Sequence, residues 1–427
     1  MEPIGVNTEK DGFEVAGRPC FYLADTLWSA FTNVSLSDWE RYLVRRSAQG
    51  FNAVQINTLV QADRSVPDLG IYPYASDDGS QLDFLRPNES YWERAHEMCA
   101  MAAEHGIRPV LVLLWANMVP QTWIARELPE HAQPMPFEEI RRHVERVVLH
   151  LGEFDPIFFI GGDTDLEMPE TQRWYGEALD VLCESSPDSL KSFHLQRGTT
   201  FIPERFVDRL DFFTFQSGHN PSAQARAWTL PQEFEERYPR KPIVNAEPCY
   251  EQMGYSRFRY GRFDEADVRA MAWSSVLSGA SAGVTYGAHG VWSWMDEGSK
   301  TSPMGEIFDT PMRWDDALGL PGAWDFGLVP RLLGLLGFRH PMPLRDCVQR
   351  DTDRIRVAEK GGRYLAYLPC ATTLRLSGIL GDFDVTALDL QDKRVATLRS
   401  REQDGALVIE RHPFAHDALL LLEPRGW

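Results

Sequence analysis

Between residues 20 and 294 the chain alternates continuous apolar runs with amphipathic stretches. CFYLADT (20–26), FNAVQINTL (51–59), IRPVLVLLW (107–115) and PIFFIGGD (156–163) are short apolar runs closed by polar or glycine residues, the pattern of strands buried on both faces. LKSFHLQ (190–196), LDFFTFQSGH (210–219), PIVNAEP (242–248) and AGVTYGAHGVWSW (282–294) bring the series to eight. Between them, LSDWERYLVRRSAQG (36–50) sets Leu36, Trp39 and Leu43 on one helical face and stops at Gly50, and NESYWERAHEMCAMAAEHG (88–106) stops at Gly106. PFEEIRRHVERVVLHLG (136–152) opens with proline and acids and ends in glycine, as helix ends prefer. MPETQRWYGEALDVLCESS (168–186) and DEADVRAMAWSSVLSG (264–279) read as helices, AQARAWTLPQEFEERY (223–238) as a broken helix, and a short helical turn joins strands five and six. Eight such units over 275 residues predict a (β/α)8 barrel, which needs ~250. The rival, a doubly wound open sheet, carries a glycine-rich phosphate loop after its first strand; this chain has ADTLWSAF there.

Residues 295–340 end in WDFGLVPRLLGLLGF, read as the last barrel helix. Beyond Pro341-Met342-Pro343 the texture changes to short alternating runs split by Gly, Asp and Pro: RIRVAEK, RYLAYLP, TLRLSGI, DFDVTALDL, RVATLRS, GALVIER and DALLLLEP. These predict a small antiparallel β-sandwich. The expected domains are a barrel over 1–340 and a sandwich over 341–427, whose only tryptophan is Trp427.

Composition narrows the partners. At 427 residues and 43% hydrophobic, the chain supports one large core and a smaller one. A net charge of −19 disfavours nucleic acid and anionic membrane, and no apolar run approaches the ~18 residues of a spanning helix. The opening MEPIGVNTEKDGFEV has no basic stretch followed by an apolar one, so no secretory signal is expected. The six cysteines are far apart, as free thiols would be, and the expected compartment is the cytoplasm. Self-association is compatible with the sequence.

A barrel of this kind carries its chemistry at the C-terminal ends of its strands. Those ends offer Asp25, then Gln55 and Asn57, Trp115, Asp163 and Asp165, His194 and Gln196, Gln216 and His219, Glu247, and Trp292 with Trp294. Amides, acids and aromatic rings gathered on one rim suit a sugar. Asp163 and Glu247, from strands four and seven, would face each other across the mouth as the two carboxylates of glycoside hydrolysis. Each residue also has a plainer reading. Glu247 could pair with Arg257 or Arg259; Asp163 could cap the following helix and leave Asp165 as the acid; Asp25 could cap the turn before Leu27-Trp28. The histidines could be satisfied rim residues, and most tryptophans core. A metal-assisted hydrolase would need His194, His219 and an acid to converge; HExxH, GxGxxG and the P-loop are absent, and the Ser217-Gly218 pair of FQSGH forms no GxSxG elbow.

YLADTLWSAF, WERYLVRRSAQGFNAVQIN, FFIGGD, DFFTFQSGH and KPIVNAEPCYE, in this order, resemble the apiosidase-like glycoside hydrolase group over about residues 10–340. The resemblance implies a (β/α)8 barrel with a C-terminal β-domain, Asp163 as acid/base and Glu247 as nucleophile. Two departures stand out: Ala24 replaces a glycine of the first motif, and Phe193-His194 replaces a frequent His pair, a departure expected to lie in the sugar pocket, which puts the sugar's identity in question. The expectation is an exo-acting, retaining glycosidase that needs no cofactor and removes a terminal sugar, with furanosides such as apiose or arabinofuranose favoured, from an oligosaccharide or small glycoside. The substrate would be held by Asp25, Gln55, Asn57, Trp115, Asp165, His194, Gln216, His219, Trp292 and Trp294. The alternatives are a pyranoside-specific glycosidase and a non-catalytic carbohydrate-binding barrel.

Overall fold

The computed structural model describes residues 1–256, 259–301, 308–349, 352 and 354–426, so Arg257 and Trp427 lie outside the described residues. Eight parallel strands form one sheet: Tyr22–Thr26, Ala53–Asn57, Arg108–Trp115, Ile157–Gly162, Lys191–Ser192, Phe213–Gln216, Ile243–Glu247 and Gly283–Tyr286. Numbered one to eight in chain order, they lie side by side as 5-4-3-2-1-8-7-6. That is a barrel closed everywhere except for a ladder between strands five and six. Across this seam the Asp211 N–H donates to Lys191 O (3.0 Å) and Ser192 Oγ to Phe212 O (2.7 Å).

Helices cover the barrel where the sequence predicts them, at Leu36–Gln49, Glu89–Glu104, Phe137–Leu151, Pro169–Ser185, Glu265–Val276 and Gly322–Leu335. Three expectations are corrected. Strand five has two residues rather than seven; beyond it the pairing with strand four continues only as a parallel bridge between Leu195 and Thr164, with Gln196 N–H donating to Thr164 O (2.8 Å). Strand eight ends at Tyr286, and Trp292 and Trp294 follow in turns. The segment expected as a broken helix is one helix, Arg226–Arg237, with Pro231 inside it. A three-stranded antiparallel sheet, Ile4–Val6, Phe13–Val15 and Arg18–Cys20, was not foreseen. It plugs the N-terminal end of the barrel with Phe13, whose ring meets Phe212 edge-on at 5.2 Å.

The C-terminal part is a six-stranded and a three-stranded antiparallel sheet packed together. The six-stranded sheet is apolar on both faces. Leu365, Tyr367, Leu390 and Leu419 join the barrel core, whereas Ala366, Leu368, Val385, Leu420 and Leu422 form the sandwich's own core. That double burial explains why ALLLL (418–422) runs without polar interruption. All six cysteines are free, and no helix among the described residues is long and apolar enough to cross a membrane.

Candidate active site

A cavity of about 280 Å³ opens at the C-terminal ends of the strands, and Asp163 and Glu247 both line it. A wider groove of about 700 Å³ runs along residues 70–88 beside Gln133, but neither carboxylate reaches it. The smaller cavity is therefore the site.

Glu247 ends strand seven. The ladder with strand six shifts register between Phe215 and Gln216, so that Gln216 stands opposite Glu247 and Ala246 is the extra residue of a bulge. Bulges re-aim side chains; here the Ala246 carbonyl left over is taken by Gln55 Nε2 (3.0 Å), and Gln216 Nε2 donates to Glu247 Oε1. His219 Nε2 lies 3.0 Å from the same oxygen, His194 Nε2 lies 3.4 Å from Oε2, and the Tyr250 hydroxyl also bonds the carboxylate. Burial works against the charge on Glu247, but the donors His219 and Tyr250 and the histidine pair outweigh it and hold the carboxyl below its ordinary value. Glu247 is thus an ionised, firmly oriented carboxylate. Arg259 bonds Ser222 Oγ (2.5 Å) instead.

Asp163 follows the two glycines of strand four in a left-handed conformation (φ 45°). Its peptide is held on both sides: its N–H donates to His194 Nδ1 (3.2 Å) and its carbonyl accepts from Trp123 Nε1 (2.6 Å). Because Nδ1 accepts, the neutral His194 ring carries its proton on Nε2, toward Glu247. Burial lowers the His194 pKa, which keeps that ring neutral at neutral pH. The glycines serve the protein more directly than the ligand. A Cβ on Gly162 would sit 2.3 Å from the Trp115 ring, and one on Gly161 would sit 2.7 Å from the Tyr175 ring. One side of Asp163 opens to the cavity and leaves it half-buried by surface, while protein crowds its other sides. That burial first, then the charges of Glu247 and Asp63, push its carboxyl well above the ordinary value against the pull of Arg197. It is not a helix cap, since the next helix starts at Pro169 with Met168 before it.

Of the other rim residues singled out from sequence, Trp115, Gln216, His219 and Trp292 line the cavity. His194 stands behind it, packed edge-on to Trp28 (5.1 Å). Six do not reach it, among them Gln196, whose backbone N–H donates to Thr164 O (2.8 Å). Asp25 points into the helix layer, where Arg46 Nε (2.5 Å) and the Tyr42 hydroxyl (2.9 Å) hold it. Gln55 serves the bulge. Asn57 donates to Gln61 Oε1 (2.9 Å). Asp165 accepts from the Trp123 N–H (2.6 Å) and pairs with Arg126 (3.4 Å), which removes it as a candidate acid. Trp294 stacks on Trp314 at 4.3 Å. Phe193 packs on Tyr175 and Phe206, so the departure from the family motif there lies outside the pocket. His194 and His219 do converge on Glu247, yet among the described residues no three metal-ligating side chains are grouped to hold an ion.

The cavity also holds residues that strand ends could not reveal: Trp28, Asp63, Trp123, Arg197, Tyr250 and Phe308, all in the connections beyond the strands, with Trp123 opening the short helix Trp123–Glu127. The available signal was the loops themselves, which carry function in barrels.

A family model described as "Apiosidase-like, catalytic domain" matches residues 9–339. A search of curated proteins finds no match. Among solved structures, one described as a glycoside hydrolase is similar over 100% of this chain and 98% of its own, with a TM-score of 0.80 and 20% identity. A family 5 glycoside hydrolase from Bacteroides vulgatus is similar over 100% of this chain and 94% of its own, with a TM-score of 0.81 and 21% identity. At such identities the structural likeness speaks for the fold alone, and the family match carries the rest. With a barrel rim that faces two unlike carboxylates into one cavity, the chain belongs to the apiosidase-like family of glycoside hydrolases.

Proposed function

We propose that this hydrolase removes a terminal sugar from a small glycoside or oligosaccharide with retention of configuration, using Asp163 as acid/base and Glu247 as nucleophile. The observation that carries the assignment is the opposite tuning of two carboxyls in one cavity, Glu247 held below and Asp163 well above the ordinary value. Pairs of acids pushed apart in this way divide into an ionised nucleophile and a protonated acid. In the first step Glu247 attacks the anomeric carbon while Asp163 gives its proton to the glycosidic oxygen. The C–O bond breaks, the aglycone leaves as an alcohol, and the sugar becomes an ester of Glu247. Asp163, now a carboxylate, takes a proton from water, which attacks the same carbon and frees Glu247.

The exo reading rests on volume. At about 280 Å³ the cavity is at the small end of ligand sites, ~300–1,000 Å³, and suits one terminal unit between the Trp28, Trp115 and Trp292 rings. A furanose is the favoured unit, from the family's character. The proposed compartment is the cytoplasm, on the six unpaired cysteines.

The test is hydrolysis of 4-nitrophenyl furanosides and pyranosides, with the anomer of the released sugar followed by NMR. Wild type is expected to turn over at least one furanoside and release the retained anomer first. Glu247→Gln and Asp163→Asn should each lose about three orders of magnitude or more in kcat on a substrate whose leaving group needs protonation. Near-normal turnover by either variant, or first release of the inverted anomer, would remove the scheme.

A further inference from the structure

Asp63 is a third carboxylate in the cavity; its charge helps to raise Asp163, but the two-carboxylate scheme uses it neither as acid nor as nucleophile. A directed chain of hydrogen bonds leads to it from the tip of strand two. Asn57 is pinned by accepting the Leu59 N–H (3.0 Å) and donates to Gln61 Oε1 (2.9 Å); Gln61 Nε2 then donates to Asp63 Oδ1 (2.7 Å). Each link hands its hydrogen toward the cavity, so Asp63 ends the chain as an acceptor. Its own backbone N–H also bonds the carboxyl, and among the described residues no other residue donates to Oδ2. The adjacent Arg64 is committed elsewhere, to Asp68 (2.6 Å), Gln61 O (3.2 Å) and Asp78 O (2.9 Å). An acceptor in such a cavity, without a cation of its own, calls for a donor from the ligand. A second feature points the same way. Gln216 Oε1 and Trp292 Nε1 belong to cavity-lining side chains that are more than nine-tenths buried, and both atoms lack a partner.

We propose that Asp63, held by Gln61 and Asn57, is the anchor of the glycone: its Oδ2 accepts a hydrogen bond from one hydroxyl of the terminal sugar and selects sugars that carry a donor at that position. The inference rests on the reading of this cavity as the subsite of the sugar that is removed. Burial, with the charge of Glu247, pushes the Asp63 carboxyl up to about 6, so an unoccupied anchor holds its charge at a cost that a hydroxyl donor offsets. Asn57 and Gln61 act through Asp63 and are positioning residues.

The experiment pairs Asp63→Asn with 4-nitrophenyl apiofuranoside, 4-nitrophenyl arabinofuranoside and their monodeoxy analogues. With Gln61 claiming its amide oxygen, the side chain introduced by Asp63→Asn would turn its NH2 to the sugar and reverse the polarity of the contact. Asp63→Asn should lose about 10–100-fold in kcat/KM on the parent glycoside, mostly in KM. One deoxy analogue should lose a similar factor with wild type and little more with the variant, while the other analogues behave additively. Asp63→Glu should recover part of the loss, and Gln61→Leu, which leaves the carboxylate in place, should show a smaller effect of the same kind and serves if Asp63→Asn folds poorly. Additive losses for every hydroxyl would overturn the anchor. The same glycosides bound to Glu247→Gln, followed by calorimetry, read the coupling without turnover. A protein that bound with coupling yet never hydrolysed would therefore fail the catalytic scheme and keep the anchor.

Discussion

Glu247 and Asp163 are the same functional group in opposite surroundings, and the difference is made by neighbours that can be counted. Glu247 meets donors: Gln216, His219, Tyr250 and the N–H side of His194. Asp163 meets burial and three further acids, Glu247, Asp63 and Asp165. The proposed scheme needs the first ionised and the second protonated, so kcat should rise with pH through the depressed pKa of Glu247 and fall through the raised pKa of Asp163. His219→Ala removes a donor from Glu247, so the rising limb should move to higher pH while the falling limb stays in place. A kcat–pH profile that shifted only on its basic side would contradict this arrangement. That Asp163 and Glu247 stand over one cavity was legible in the sequence because strand ends are fixed by apolar runs. Asp25 was misread because its partner lies on another element. Arg46 interrupts the buried face made by Trp39, Tyr42 and Leu43, and a buried arginine there demands an acid on the neighbouring strand. That was the missed signal. Trp28, Trp123, Asp63 and Arg197 were not legible, since their positions depend on the course of loops that no periodicity encodes.

At the scale of elements, the periods of two and 3.6 predicted the barrel strands and the long helices, and missed short elements such as the N-terminal sheet and the helix Trp123–Glu127, which are too short to show a period. Strands five and eight are shorter than their apolar runs, each continuing past its end only as a single parallel bridge, Leu195 to Thr164 and Ala288 to Glu251, and of the two runs' aromatic residues Trp292 lines the cavity. Beyond its tip, strand seven stays tied to strand eight through Glu251, whose N–H donates to Gly287 O (2.8 Å) while the His289 N–H donates to Glu251 O (2.8 Å). The Glu251 side chain then joins three elements. It accepts from the Tyr286 hydroxyl (2.5 Å) and from the Gly322 N–H (2.9 Å) at the start of the last barrel helix. A Cβ on residue 322 would lie 2.4 Å from that carboxylate, which accounts for the glycine. Burial, helped by the charge of Glu265 and opposed by Tyr286, Gly322 and Arg46, raises the Glu251 pKa to about 7. Its folded pKa exceeds the unfolded value, so the folded state binds more protons. The contribution is full below the unfolded pKa and is lost as pH rises through about 7, a change of about 3 kcal/mol. Glu251→Gln keeps an acceptor and drops the charge. Its Tm relative to wild type should therefore climb as pH rises from mildly acidic to mildly alkaline, and a Tm difference that is flat with pH would show that Glu251 is not the titrating group.

At the scale of the molecule, the question is what the sandwich does for a barrel whose described cavity lining comes entirely from residues 28–308. The contacts answer that it braces. The helix Glu265–Val276 sends Arg269 into the boundary, where it is 1% exposed and meets Asp417 (2.8 Å) from the sandwich and Asp325 (2.6 Å) from the last barrel helix. Lys393 adds a second tie to Asp325 (2.6 Å), and the Tyr367 hydroxyl donates to Asp417 (3.2 Å). Around these charges Leu365, Leu390 and Leu419 continue the barrel core without a break. A boundary so apolar, pinned by a buried ion cluster, should make the two parts unfold as one cooperative unit. Removing the arginine leaves two buried acids facing each other, which costs about 3–5 kcal/mol. Arg269→Met should therefore lower Tm and resolve the single calorimetric transition into two, because the boundary weakens more than either core. The kcat/KM measured well below the first transition should stay at the wild-type value, since no described residue of the sandwich lines the cavity. A variant that still melted in one step at the wild-type temperature would mean that apolar packing alone joins the parts. Loss of kcat/KM in a fully folded variant would mean instead that the brace reaches the active site through the helix that carries Arg269.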